Sequence, residues 1–233
     1  SSAASDVYKR QTLHSVPDCQ AITKKAIVER LKKAYQEKGW LNETGAKYPV
    51  EVAILKDNVL LTIDTSGSGL NKRGYRLAQG EAPIKETLAA SLIRLANWKG
   101  DTPLIDPFCG SGTIAIEACL IAQNIAPGFN RDFVSEEWNM MPPNIYDKLR
   151  DEADQMADYD KEIEVYASDI DPEMIEIARR NAEEVGLSDI IQFSVKDVNT
   201  LTIDSEGPVA LVGNPPYGER IGDREEVEEM YRY

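Results

Sequence analysis

Hydrophobic positions recur along this chain with two different periods. Over residues 19–39, Ala21, Ile22, Ala26, Ile27, Leu31, Ala34 and Tyr35 fall at helical spacing, and Gly39 offers a stop. Two strand-like runs follow, 48–57 and 58–67, divided at Asp57-Asn58, whose chemistry suits a hairpin turn. Gly and Ser crowd residues 65–80, which read as a junction between domains. Beyond it, Pro83 stands near the first turn of a helix with Leu88, Leu92, Leu95 and Ala96 as its stripe, ending before Gly100. The periods then alternate: strand 104–108, helix 113–126, strand 162–171, helix 172–186, strand 190–197 and strand 209–218. That alternation predicts a parallel sheet wound on both faces. Residues 124–162 interrupt it with Pro127, Gly128, Trp138, Pro142 and Pro143 and then an acidic helical run, and read as an insertion.

Ser1–Gln11 carries neither hydrophobic period nor turn chemistry. It resembles translated adapter sequence and is set aside as a non-native or disordered leader. The expected organisation is therefore that leader (1–11), an α+β module (12–64), a linker (65–80) and an α/β domain (81–233). No apolar run approaches the roughly 20 residues of a membrane-spanning helix, so no membrane partner is expected. Cys19, Cys109 and Cys119 form no C-x-x-C pair, which makes a reducing cytoplasm the default location.

Charge changes the picture through its distribution. The formal net charge is −14, yet residues 12–80 carry 11 Lys+Arg against 7 Asp+Glu, whereas residues 81–233 carry 13 against 32. A basic front joined to an acidic back suggests that the front handles phosphates. Lys24, Lys25, Lys32 and Lys33 lie on the helix face opposite the apolar stripe and are candidate nucleic-acid contacts. A solvated helix face is the alternative reading of the same four residues.

Four motifs carry candidate chemistry. Asp106-Pro-Phe-Cys-Gly110-Ser-Gly112-Thr113 joins a strand end to a helix start. Its glycines let a ligand approach the backbone, and the helix N-terminus favours a carboxylate. Position 115 is Ala, so the third glycine of a dinucleotide fingerprint is missing, which disfavours a nicotinamide-dependent dehydrogenase. Ser168-Asp169-Ile170-Asp171-Pro172 puts a carboxylate at the next strand end, where Asp169 can accept ribose hydroxyls and Ile170 can pack on a purine; Asp171 can serve as ligand or as helix cap. Lys196-Asp197-Val198 offers an acceptor for an adenine amine and a backbone N–H. In Asn214-Pro215-Pro216-Tyr217, the Asn oxygen and the Pro215 carbonyl can accept both hydrogens of an –NH₂ group, and Tyr217 offers a ring for base stacking.

With these residues in order, the runs 106–118, 167–187 and 213–223 resemble the THUMP-domain-containing RNA methyltransferases, and within them the bacterial group that modifies guanine N2 in large-subunit ribosomal RNA. Residues 72–93, 125–133 and 136–142 are similar to the same family, and 12–64 resemble the C-terminal part of a THUMP module. The resemblance implies a Rossmann-like class I methyltransferase sheet, here C-terminally truncated, since only 16 residues follow Tyr217 where three more strands are expected. It implies S-adenosylmethionine as cofactor, held by Pro83, Lys85, Glu86, Thr87, Asp106, Cys109, Gly110, Gly112, Thr113, Asp169, Ile170, Asp197, Val198 and Asn214. The target amine falls to Asn214, Pro215, Pro216 and Tyr217, with ribosomal RNA as the partner and guanine N2 of 23S RNA as the acceptor. Rival readings are an adenine-N6 DNA methyltransferase, a protein-glutamine methyltransferase and a non-catalytic RNA-binding protein with this fold. No metal is expected, because no His/Cys cluster has ligand spacing; His14, the single histidine, lies beside the leader.

If the four lysines capture a phosphate backbone, replacing them in the full-length protein lowers the slope of log affinity for RNA against log salt by up to about 3–4. A slope equal to wild type assigns them to a solvated face.

Overall fold

The computed structural model describes residues 15–41, 44–76, 83–203, 205 and 207–215. The leader, His14, Pro216 and Tyr217 lie outside the described residues. The chain divides into two units, one of residues 1–68 with 133–143, the other of 69–132 with 144–233.

In the first unit, helix α1 spans Val16–Tyr35, with Asp18 in its first turn and Lys32 and Lys33 in its last, charges that complement the helix dipole. It ends ahead of the expected Gly39. Gln36 takes the left-handed conformation (φ 59°) and its N–H bonds to the Lys32 carbonyl, so a non-glycine residue closes the last turn. Strands β1 (Val50–Leu55) and β2 (Asn58–Ile63) form an antiparallel hairpin with Leu55 opposite Asn58. The turn is Lys56-Asp57, one residue earlier than the sequence suggests. Both residues adopt positive φ (50° and 59°), as a two-residue primed turn demands, and Asn58 enters the strand.

Residues 133–143, expected as part of an insertion in the α/β domain, fold with this hairpin unit. Trp138 is buried, stacks on Tyr48 at 4.8 Å between ring centroids, and donates its indole N–H to the Lys47 carbonyl at 2.7 Å. The buried Ser135 hydroxyl and its backbone N–H both reach the Thr65 carbonyl, at 2.8 and 3.2 Å. An indole that would otherwise lose its water partner thus finds a backbone acceptor inside the unit.

The second unit is built on a four-stranded parallel sheet, β3 (Leu104–Asp106), β4 (Val165–Asp169), β5 (Ile191–Val195) and β6 (Ala210–Leu211), in the order β5-β4-β3-β6. Its helices are α2 (Glu86–Leu95), α3 (Thr113–Ala122), α4 (Ile145–Gln155) and α5 (Pro172–Glu183). Register puts Leu104, Val165 and Ile191 on one face together with Ala167 and Phe193. These side chains join the core with Ile93 of α2, Ile114, Ala118 and Cys119 of α3, and Ile175, Ala178 and Ala182 of α5. Tyr166, Gln192 and Leu211 point to the other face and stay exposed. Among the described residues, the core helices cover one face only; loop residues Leu201, Ile203 and Val209 line a cavity of about 370 Å³ on the other, beside Ile105 and Tyr166.

One local expectation is corrected and one open role is filled. The buried face of α2 is Glu86, Ala89 and Ile93, with Leu92 partly buried, whereas Leu88 and Leu95 are exposed. A polar residue belongs to the inner face because Arg76 waits there to pair with it, at 3.0 Å. Asp171, open between two roles in the sequence, is the N-cap of α5, its side chain accepting from the Glu173 N–H at 2.8 Å.

Residues 69–76, read as linker from their glycines and polar residues, are built into the second unit as a strap against α3. Tyr75 is 1% exposed and donates its hydroxyl to Glu117 at 3.1 Å, while Arg73 brings two guanidinium nitrogens to the same carboxylate at 3.4 Å. Burial raises the Glu117 carboxyl above its ordinary value and Arg73 opposes that rise. Tyr75→Phe deletes one of the donors to a buried carboxylate and should cost about 1–2 kcal/mol in urea unfolding of the folded chain. A loss under about 0.3 kcal/mol would show that the hydroxyl is not needed to satisfy Glu117.

Candidate functional site

Parallel strands send all their C-terminal ends to one edge of the sheet, and the four motifs lie on that edge: 106–113 after β3, 169–172 after β4, 196–198 after β5 and 212–215 after β6. The chain runs outward from β3 through β4 to β5, then returns to the far side of β3 as β6. The reversal between β3 and β6 is a topological switch point, where open α/β sheets leave a crevice for ligands.

The glycine loop is held by the neighbouring strand end. Asp169 accepts the Gly110 N–H on one carboxylate oxygen at 2.8 Å and the Asp171 N–H on the other at 3.0 Å. The Cys109 N–H bonds to the Ser168 carbonyl at 2.9 Å, and the Lys196 N–H to the Asp169 carbonyl at 2.9 Å, which ties the third loop to the second. Each carboxylate oxygen keeps a lone pair for a further donor.

Gly112, the N-cap of α3, takes φ +81°, and a Cβ there would stand 3.0 Å from Ala178 Cβ and 3.4 Å from Phe193, so glycine lets α3, α5 and β5 close up. At Gly110 a Cβ would meet nothing within 4 Å, leaving the backbone open on the crevice side. Asn181 of α5, buried and not singled out by sequence, donates to the Ser111 carbonyl at 3.1 Å and clamps the loop from behind. A lone Asn among the charges of 172–186 carries no sequence signal for that role.

Asp106 is fully buried at the end of β3. One oxygen accepts the Phe108 N–H at 3.2 Å; the other, Oδ2, has no hydrogen-bond partner among the described residues. Gly213 passes close by, since a Cβ on it would reach Asp106 Oδ1 at 3.4 Å, and Asn214 and Pro215 follow it, half-buried. The structure thus brings Asp106 near the start of the Asn-Pro turn, while Pro216 and Tyr217 fall outside the described residues.

Ile170, beside Asp169, is a large apolar side chain 67% exposed. Asp197 accepts the Asn199 N–H at 2.9 Å and caps a short 3₁₀ turn that begins at Val198. Pro83 is half-buried, Lys85 and Thr87 are exposed, and Glu86 faces inward. Thr113 is buried in the first turn of α3 and accepts from Arg76 at 2.9 Å. Cys109 is buried, and burial pushes its thiol well above the usual range, which suits packing and not nucleophilic chemistry. Lys24, Lys25, Lys32 and Lys33 belong to α1 in the other unit, and none of them is buried. Among the described residues no group of three or more His, Cys, Asp or Glu side chains could hold a metal, and no helix is long and apolar enough to cross a membrane.

A parallel sheet with a glycine loop after its central strand, a carboxylate after the next and an Asn-Pro turn at the switch point defines a class I methyltransferase fold. Residues 73–233 match the RMKL-like methyltransferase domain and residues 4–64 the THUMP domain; the chain belongs to the RMKL-like methyltransferase family and carries THUMP sequence ahead of that domain. The THUMP match begins at residue 4, inside the stretch that the sequence pattern marks as a leader. YpsC of Bacillus subtilis (strain 168), an RNA methyltransferase by name, is 58% identical over 96% of this chain and 58% of its own length. The ribosomal RNA large subunit methyltransferase K/L of Psychromonas ingrahamii is 39% identical over 89% of this chain and 28% of its own length. Among solved structures, that of a predicted N6-adenine-specific DNA methylase from Listeria monocytogenes has a TM-score of 0.89 at 56% identity, covering 96% of this chain and 58% of that one. SMU.472, solved as a complex with SAH, has a TM-score of 0.88 at 45% identity, covering 95% and 58%.

The buried carboxyl gives the site a pH signature. Desolvation, the Asp169 charge adding to it, pushes Asp106 up to about 7 from 3.8, against the Phe108 hydrogen bond. Between those values the unfolded chain has released a proton that the folded chain keeps. Stability therefore falls as pH rises through that window and levels off above it, by at most about 1.4 kcal/mol per pH unit. Asp106→Asn removes the effect, so urea unfolding at pH 5 and pH 8 should show the variant gaining on wild type at the higher pH. An equal difference at both would mean that Asp106 ionises normally.

Proposed function

We propose that the protein of which this chain is part is an S-adenosylmethionine-dependent methyltransferase acting on the exocyclic amine of a nucleobase in ribosomal RNA, with guanine N2 of the 23S molecule as acceptor. The observation that carries the reading is the meeting, at the switch point, of the buried Asp106 with its open oxygen and the Asn214-Pro215 turn at the end of β6. A donor site and an amine site are what a methyl transfer needs side by side.

The residues present fit the cofactor. Asp106 Oδ2 is a buried acceptor awaiting a donor, which an ammonium group supplies; Gly110 leaves its backbone bare; Ile170 stands exposed where a purine can cover it. Asp169 keeps lone pairs for ribose hydroxyls, and Asp197 one for an adenine amine. The Pro83–Thr87 stretch, Cys109, Gly112, Thr113 and Val198 complete the wall. When bound, S-adenosylmethionine supplies a methyl group on a sulfonium, already an excellent leaving group.

The chain's own work is therefore positioning and polarisation. The Asn214 side-chain oxygen and the Pro215 carbonyl accept the two hydrogens of the target amine. That draws the nitrogen lone pair out of conjugation and aims it across the crevice. By its residue type, Tyr217 offers the base a ring to stack on once it is unstacked from its RNA neighbours. The THUMP match and the basic α1 face of Lys24, Lys25, Lys32 and Lys33 support RNA over DNA, and the two relatives named for RNA methylation support it further. Such a substrate places the enzyme in the cytoplasm. The Listeria neighbour, described as a DNA methylase, favours a second reading, adenine-N6 methylation of DNA.

Nucleoside mass spectrometry on a strain lacking the full-length gene separates the two. Loss of N2-methylguanosine from 23S RNA, restored by the wild-type gene and not by one carrying Asn214→Ala, is the expected result. Intact RNA with N6-methyladenine missing from DNA would establish the second reading, and full restoration by Asn214→Ala would remove the turn from the chemistry.

A further inference from the structure

We propose that Arg76, which belongs to none of the four strand-end motifs, is a positioning residue for the methyl-donor site: it locks the Pro83–Thr87 stretch onto the first residue of the helix that follows the glycine loop. The proposal rests on the S-adenosylmethionine reading above and adds to it a residue that touches neither donor nor acceptor.

Three contacts define the role. The Arg76 guanidinium donates from one nitrogen, Nη2, to the Ile84 carbonyl at 3.0 Å and to the Thr113 hydroxyl at 2.9 Å, and its Nε stands 3.0 Å from the Glu86 carboxylate as an ion pair outside hydrogen-bond geometry. The side chain is 14% exposed and that of Glu86 6%, so the pair sits in a poorly hydrated setting where it holds its geometry. Ile84 and Glu86 belong to the stretch and to the first turn of α2. Thr113 is the residue directly after Gly112. One guanidinium therefore ties together two segments that the S-adenosylmethionine reading makes neighbouring walls of the donor crevice. A lysine ammonium, a single point on a flexible stem, can take the place of Nη2 or of Nε but not of both, so it leaves either Glu86 or the Ile84–Thr113 link without its partner.

The strap itself supplies a built-in control. Arg73, three residues away, makes a comparably buried pair with Glu117, but it bonds to neither the Pro83–Thr87 stretch nor Thr113. If buried charge pairing of the strap served stability alone, the two arginines would be equivalent. They differ in what lies at the far end of the fork: the middle of α3 for Arg73, the edge of the crevice for Arg76.

The test compares Arg76→Lys with Arg73→Lys in the full-length protein, measuring S-adenosylmethionine affinity by calorimetry, RNA affinity and thermal midpoint. Arg76→Lys should weaken S-adenosylmethionine binding about tenfold and raise its KM with kcat and RNA affinity little changed. Arg73→Lys should lower the thermal midpoint as much or more, yet bind S-adenosylmethionine within about twofold of wild type. Adding Thr113→Val to Arg76→Lys should then weaken binding by less than the product of the two single effects, because both remove one link.

Wild-type affinity in a folded Arg76→Lys protein overturns the proposal, as do equal losses in the two arginine variants or single effects that simply multiply. A wild-type protein that binds no S-adenosylmethionine overturns the functional reading itself, and this role with it. The two failures are thus told apart by the wild-type titration.

Discussion

The Asp169 carboxylate is the constraint on which the geometry of the crevice depends. It holds the Gly110 N–H with one oxygen and the Asp171 N–H with the other, so the loop after β3 and the loop after β4 cannot move independently. Two backbone N–H groups donate to this one carboxylate, and they act where the glycines otherwise leave the chain free. The Lys196 N–H on the Asp169 carbonyl extends the tie to the third strand. A ligand entering this edge meets a rim in which the loops after β3, β4 and β5 are already tied to one another.

Behind that rim, buried charge does what apolar packing alone does not. α3 is apolar on nearly every side except at Glu117, and Glu117 is neutralised by Arg73 and Tyr75 from a strap that precedes the sheet in sequence. α2 presents Glu86 inward for Arg76 in the same way. A buried ion pair contributes little net stability against an apolar replacement, but breaking one partner is costly. Such pairs therefore fix which segment docks where, and here they bring the strap, α2 and α3 into one arrangement next to the proposed donor site.

The first unit follows a different logic. Residues 133–143 leave the second unit to complete the hairpin module through Trp138, Tyr48 and Ser135, so the boundary between the two units is crossed by three chain connections instead of one.

Much was determined by the sequence alone. The alternation of periods from 104 to 215 carried the parallel sheet, because a buried strand and an amphipathic helix leave different local patterns. The glycine loop, Asp169 and the Asn-Pro turn were legible because each needs particular residue types at a strand end. Local patterns could not say which face of α2 turns inward, since Glu86 is buried only because Arg76, ten residues earlier, comes to meet it. Nor could they assign 69–76 to the second unit or 133–143 to the first: glycine and proline mark a turn but not the partner it leads to. The turn at Lys56-Asp57 and the cap at Gln36 escaped for a related reason, as ordinary residues took left-handed backbone where register and helix closure required it. The roles of Arg76, Tyr75 and Asn181 lay only in the tertiary structure, because a hydrogen bond across 37 or 70 residues has no period for a sequence to display.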